Sequence, residues 1–324
     1  MESNAIIAAS EVRTHTKMNH QLKKESATKI YWKQKYFFFM LIPVIAYYLI
    51  FHYAPLYGIV IAFQNYYPLK GVSGSEWVGL DHFKELFTGL YFLPVLKNTL
   101  IISIYKLIFG FPAPIILCLI LNEVRLVFFK KAVQTITYLP HFISWVILGG
   151  IVIEFLSPTR GFINAILMEL GHKPILFVTS ETYFRSILVL SSIWKEVGWS
   201  TIIYLAAITS VDPELYDAAD MDGAGRLRKI WNITLPSIMP VVTIMFIFAV
   251  GGIINDDFDQ IYNLLNASVL SVGDVISTYT YQIGLVKGDY SFATTVGLFK
   301  NIIAFVLILL TNYVAKKTND YSLW

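Results

Sequence analysis

Charge and sulfur are both scarce in this chain. Only 15% of its 324 residues are Asp, Glu, Lys or Arg, against about 25% in ordinary soluble domains. That leaves too little polar surface to solvate a globule of this size, so a soluble protein is close to excluded and a disordered one is excluded. The single cysteine, Cys118, excludes an internal disulfide and a multi-cysteine metal site. A net charge of +3 is too small to imply a nucleic-acid partner. Motifs for enzymatic chemistry are missing too: there is no GxxxxGK followed by Ser or Thr, no HExxH and no GxSxG. Gly223-Ala224-Gly225 lacks the third glycine and the preceding strand of a dinucleotide site. The chain is therefore expected neither to hydrolyse ATP nor to hold a metal by itself. What it has in excess is apolar: 56% of residues are hydrophobic and the mean hydropathy is +0.60. This is the composition of a membrane protein.

The apolar residues are gathered into runs. About 20 mostly apolar residues cross a hydrocarbon core of about 30 Å. Residues 36–69 carry no Asp, Glu, Lys or Arg, and their apolar part ends near Phe63. A second run covers 94–121, interrupted by Lys97 and Lys106, and a third covers 132–156, broken only by Glu154. The fourth, 183–210, has Arg185 at its start and Lys195-Glu196 inside. The last two are 236–255 and 291–314, the latter containing Lys300. The fold class expected is all-α: a polytopic membrane protein with six transmembrane helices.

Basic residues orient such a chain. Fifteen Lys and Arg lie on the side of residue 1 and five on the opposite side. Both termini are therefore expected in the cytoplasm, with 1–35 a basic cytoplasmic tail and 36–324 a single six-span domain. The first run is too long for a signal-peptide core and no small-residue cleavage site follows it, so it is expected to stay as an anchor. On the outer side, residues 81–90 read as an amphipathic helix capped by Asp81, with Phe83, Leu86, Phe87 and Leu90 on one face. Such a helix lies at the membrane surface or packs on the spans.

One cytoplasmic segment is unusual: residues 211–235, VDPELYDAADMDGAGRLRKIWNITL. Asp212-Pro213 starts a helix well, because Asp caps free N–H groups and Pro fits the first helical position. Glu214, Asp217, Asp220 and Asp222 make that helix acidic, and Leu215, Ala218 and Ala219 give it a narrow small-residue face. Gly223-Ala224-Gly225 permits a sharp turn, and Arg226, Arg228 and Lys229 begin a second, basic helix. The segment has the form of a docking element for a partner's groove.

Asp217-Ala218-Ala219, three residues, Gly223, nine residues, then Ile233-Thr234-Leu235-Pro236 resembles in spacing the EAA loop of ABC importer permeases, with Asp217 in place of the usual Glu. The stretches WVGLDHFKELF (77–87), KNTLIIS (97–103), WKEVGWSTIIYLAAI (194–208) and NDDFDQIYNL (255–264) resemble permeases of carbohydrate importers of the maltose-importer larger-subunit type. YLPHFIS (138–144) and the ending YSLW (321–324) resemble the branch that handles oligosaccharides of complex polysaccharides, alginate among them. The resemblance covers about residue 36 to the C-terminus; the larger maltose subunit's extra N-terminal spans and large periplasmic insertion have no counterpart here. It implies one half of an inner-membrane import channel for oligosaccharides, acidic ones in the alginate branch. A second homologous permease subunit, two ATPase subunits holding ATP and Mg, and a periplasmic solute-binding protein would complete the importer. It also implies that Glu214, Leu215, Tyr216, Asp217, Ala218, Ala219, Asp220, Met221 and Asp222 form the coupling helix, with Gly223 the turn behind it.

Charged and aromatic residues within the spans are candidates for the substrate pathway, because burying charge there is costly. Lys195-Glu196, between Trp194 and Trp199, reads either as a neutralising structural pair or as part of a sugar site in which indole faces stack on pyranose rings. Asp256, Asp257 and Asp259 read as solvated loop charge or as substrate contacts. Lys106 and Lys300 have a purpose as cavity cations if the sugar is a uronate. Lys97 and Arg185 lie near span ends and can snorkel, and His52 and His141 read as packing or hydrogen-bonding groups. Two other classes compete with a permease. An ion-coupled secondary transporter of a small polar solute would need no docking loop and would show internal repeats. A membrane-embedded enzyme would need a catalytic constellation, and the three aspartates have no matching base, nucleophile or metal-ligand set.

Overall fold

The computed structural model describes residues 35–319. The basic tail, all but its last residue, and the 321–324 motif lie outside the described residues. The chain divides into two compact units, Met1–Ile59 and Val60–Trp324, which are described separately.

The first unit contributes most of helix α1 (Tyr36–Phe63), whose bounds match the run expected from sequence. Pro43 lies inside its α-helical part, a π-turn follows at Leu49–Tyr53, and a 3-10 segment opens at Ala54 just before Pro55. Proline removes a backbone donor, and these local changes of winding accommodate its loss.

The second unit begins with a two-stranded antiparallel ribbon, β1 (Gln64–Asn65) against β2 (Glu76–Trp77), in which Gln64 faces Trp77. Helix α2 (Asp81–Thr88) follows. Asp81 is its first helical residue and not its cap. Leu80 holds the cap position, and the Asp81 carboxylate accepts a 2.8 Å bond from Lys84 Nζ. That ammonium holds the Asp81 carboxyl below the usual carboxylate range. Of the expected apolar face, Leu86 is fully buried while Phe87 and Leu90 stay exposed.

The rest is helical: α3 (Phe92–Glu123), α4 (Val127–Phe142), α5 (Trp145–Phe155), α6 (Phe162–Glu169), α7 (Glu181–Thr209), α8 (Pro213–Met221) and α9 (Arg226–Gly251). Then come α10 (Phe258–Leu264), α11 (Ile276–Tyr281, continued by a π-turn at Gln282–Val286) and α12 (Tyr290–Asn319). Among the described residues four helices, α1, α3, α9 and α12, are long and apolar enough to cross a membrane. A fifth span exists if α4 and α5 count as one. Helix α7 has 29 residues, enough length to cross, but Lys195 and Glu196 at its centre lower its apolarity. Helix α9 starts at Arg226, ten residues before the expected limit, so the basic stretch is the first turn of that helix.

The expected third run is not one rod. Helices α4 and α5 meet at an angle of 107°. Pro140 has no N–H to give, the chain tightens to 3-10 over Leu139–Phe142, and Ile143 and Ser144 are extended. An apolar run conceals such a break because composition does not report backbone direction.

Three buried clusters hold the second unit together. Leu86, Phe92, Ile254, Ile276 and Val296 tie α2 and α3 to α11 and α12. Ile102, Phe184, Leu188, Ile261 and Leu264 join α3, α7 and α10, and Cys118, Tyr204, Ile208 and Ile238 join α3, α7 and α9. Small residues allow the closest approaches, as is usual where lipid removes the hydrophobic drive between helices. At Gly198 an added Cβ would lie 2.1 Å from the Thr137 carbonyl oxygen, which is backbone and cannot swing away. Gly198→Ala is expected to cost about 3 kcal/mol, the upper part of the overpacking range. Gly150→Ala, which meets nothing within 4 Å, is the control. Thermal unfolding of the two purified variants in detergent compares them directly.

Candidate functional site

The break between α4 and α5 leaves backbone carbonyls without the N–H groups that a continuing helix would supply. Lys195, on α7 and 7% exposed, fills that need. Its Nζ donates to the carbonyl oxygens of Pro140 at 3.3 Å, His141 at 2.7 Å and Ile143 at 2.6 Å. A cation at helix carbonyl ends is also placed well for the helix dipole. Lys195 therefore does not pair with its neighbour Glu196, and the neutralising-pair reading is corrected. Successive residues on a helix point about 100° apart, and Glu196 instead meets His141, Nδ1 to Oε2 at 2.9 Å. The His141 ring stacks on Trp199, centroids 4.5 Å apart and almost parallel. One indole face is thus covered. Trp194 lines a different, apolar cavity of about 700 Å³ beside Ile151, Phe155, Phe177 and Leu190. The two tryptophans do not form a shared sugar platform.

Lys106 and Lys300 come together with the aspartates that follow α9. Lys106 Nζ lies 3.1 Å from Asp257 Oδ2 and 2.5 Å from Gln260 Oε1. Lys300 Nζ lies 3.3 Å from Asp256 Oδ1. The Asp256 side chain is 1% exposed, and its Oδ2 accepts the Ser277 N–H at 3.0 Å. Asp256 is thus a buried counter-charge and not a solvated loop residue, Asp257 is half-exposed, and Asp259 is exposed on the first turn of α10. The three span lysines considered as cations for an acidic cargo are all engaged, two by carboxylates and one by carbonyls. A cavity of about 230 Å³ has Ser103, Lys106, Phe111, Asn255, Asp256 and Asp257 on its wall. Lys106 also lines a second cavity of about 170 Å³ that reaches Glu196, Ser192 and Ser200. Polar groups thus run from α7 across α3 to the end of α9.

Gln260 escaped the sequence reading. It is fully buried, donates to Leu188 O at 2.6 Å and Ser191 Oγ at 2.8 Å, and receives Lys106. The available signal was its position three residues after Asp257, which brings both to one helix face. Arg185 does not snorkel: it donates to Asn98 Oδ1 at 2.8 Å and Val272 O at 3.2 Å.

The acidic segment folds as its residues dictate. Asp212 caps α8, its Oδ1 accepting the Glu214 N–H at 3.0 Å, with Pro213 first in the helix. Gly223 ends it at φ +71°. Ala224 N–H bonds Ala219 O at 2.9 Å and Gly223 N–H bonds Asp220 O at 3.1 Å, the pairing that closes a helix through a left-handed residue. Leu215, Asp217, Ala218 and Met221 are exposed. Tyr216 is half-buried, its hydroxyl 2.9 Å from that of Thr234, and Asp220 pairs with Lys229. These two ties fasten α8 to the first turns of α9, and Arg226–Glu123 at 4.0 Å joins the start of α9 to the end of α3. An exposed helix rigidly joined to a long apolar one can pass a displacement into the helix layer.

Residues 30–320 match the family described as the binding-protein-dependent transport system inner membrane component. The chain is 47% identical over 305 residues to the polygalacturonan/rhamnogalacturonan transport system permease protein YteP of Bacillus subtilis (strain 168), covering 93% of this chain and 95% of that one. It is 29% identical over 273 residues to the arabinooligosaccharides transport system permease protein AraP of the same organism, covering 83% and 85%. It is also similar to a chain in the crystal structure of a bacterial ABC transporter involved in the import of the acidic polysaccharide alginate. That match has a TM-score of 0.83 and 41% identity, covering 90% of this chain and 98% of that chain. A chain of a bacterial alginate ABC transporter in complex with an alginate pentasaccharide-bound periplasmic protein matches with a TM-score of 0.85 and 40% identity, covering 92% and 100%.

Proposed function

This chain belongs to the family of binding-protein-dependent transport system inner membrane components, and on that footing we propose that it forms half of the channel through which an ABC importer passes acidic oligosaccharides. It is a permease and not an enzyme, and it resides in the inner membrane. A second permease subunit completes the pathway, a periplasmic binding protein delivers the sugar, and two ATPase subunits bind ATP and Mg below. The relatives support the cargo: one carries polygalacturonan in its name, and the solved importers handle alginate. The observation that carries the coupling is the exposed, capped helix α8, with Glu214–Asp222 as the docking surface and Gly223 as the turn.

The topology proposed is six spans, α7 among them and α4 with α5 as one, both termini cytoplasmic. Reporter fusions after Lys131 and after Leu235 should read cytoplasm, and one near Ser157 should read periplasm. Any of the three on the opposite side rejects this arrangement.

Docking is tested at Gly223. Its left-handed backbone suits glycine, whereas a β-branched residue there costs about 1–2 kcal/mol and shifts the turn. An added Cβ meets nothing within 4 Å, so the strain is conformational and not steric. Gly223→Val is expected to insert normally while sugar-stimulated ATPase activity of the reconstituted importer falls about ten-fold. Full activity in that variant would reject the coupling role. The sugar class is read from uptake into proteoliposomes, oligouronate against a neutral oligosaccharide of equal length.

A further inference from the structure

Beyond the small cavity at Lys106 lies a larger one, of about 580 Å³, between α11 and the first half of α12. Phe258, Ser277, Tyr281, Tyr290, Lys300 and Asn301 stand on its wall. Asn255 lines both cavities. Asp256 faces the smaller one and Lys300 the larger, so the 3.3 Å ion pair between them stands at the partition.

We propose that the larger cavity is a separate saccharide subsite, which takes one uronate residue of the oligosaccharide with its carboxylate on Lys300 and a ring hydroxyl on Ser277. This deepens the acidic-oligosaccharide reading and rests on it. The following observations carry it. The Ser277 hydroxyl is buried and has no partner within the chain, and an orphaned buried hydroxyl calls for a ligand. The Lys300–Asp256 contact is longer than the roughly 2.7–2.9 Å usual for a charge-assisted bond. An ammonium has three donors, and the bond to Asp256 uses one of them. The Phe258 and Tyr281 rings, 5.3 Å apart on the wall, supply apolar carbon for the C–H side of a pyranose. The volume lies within the roughly 300–1,000 Å³ of small-molecule sites.

Two substitutions test the subsite in the reconstituted importer. Gly297 lies on the wall, and a Cβ there meets no atom within 4 Å, so Gly297→Leu starts its side chain in open space and is chosen to fill it. It is expected to assemble with its partner subunits and to lower oligouronate uptake at least about ten-fold. Ser277→Ala removes a hydroxyl that bonds nothing in the chain, so thermal stability should hold or rise while uptake falls about two- to ten-fold, the worth of one hydrogen bond. Wild-type uptake in both variants would overturn the subsite and leave the importer reading standing. Failure of Gly297→Leu to assemble would also overturn it, since the space would then belong to another subunit. A wild-type importer that moves no acidic oligosaccharide would instead overturn the reading beneath.

Discussion

Lys195→Met is expected to leave a protein that unfolds far below the parent or fails to accumulate. The ammonium satisfies the carbonyls of His141 and Ile143, while Pro140 O keeps a second donor in the Ile143 N–H at 3.2 Å. Two part-buried carbonyls therefore lose their donor. Each unsatisfied group costs about 1–3 kcal/mol. The loss expected is about 2–6 kcal/mol. Lys195→Gln keeps two donors on a shorter stem and should recover part of it. Thermal unfolding of the purified variants in detergent gives the comparison. A methionine variant as stable as the parent would mean that packing alone holds the bend.

Lys300→Met should be nearly as damaging, and reversible by a second change. It strands the Asp256 carboxylate, which is 1% exposed, without its counter-ion. Breaking a buried pair from one side costs about 3–5 kcal/mol, whereas replacing both charges is often close to neutral. The double variant Asp256→Asn/Lys300→Met is therefore expected to regain most of the stability, and a double-mutant cycle measures the coupling. Lys106→Met supplies the contrast, because Asp257 is 50% exposed and water can serve it. Its stability cost should be about 1–3 kcal/mol, because the fully buried Gln260 Oε1 loses its donor. If the double variant were no more stable than Lys300→Met, Lys300 would act through something other than Asp256.

How much of this the sequence disclosed depends on the range of each interaction. The acidic segment was legible because its determinants are local: a capping Asp, a following Pro and a turn Gly each act on backbone no more than five residues away. The long apolar helices were legible for a similar reason, since length and composition suffice. The bend between α4 and α5 was not. Pro140 was visible, but an apolar run reads alike whether straight or folded back. Partner assignment was likewise out of reach. Lys195 and Glu196 are adjacent in the chain yet serve residues 52 to 55 positions away. Lys300 finds Asp256 across 44 positions and Lys106 finds Asp257 across 151. The cost of buried charge announced that partners exist, while the folded backbone alone decided which ones.

Balanced charge in the helix layer has an electrical consequence. Lys106, Lys195 and Lys300 contribute three ammonium groups, and Glu196, Asp256 and Asp257 contribute three carboxylates. Moving one elementary charge through a membrane potential involves about 2.3 kcal/mol per 100 mV. These six groups sum to zero, so displacing them together does no net electrical work. Voltage should then act on that rearrangement only through charges outside these six, Lys97, Glu154 and Arg185 among them, and through any charge on the cargo.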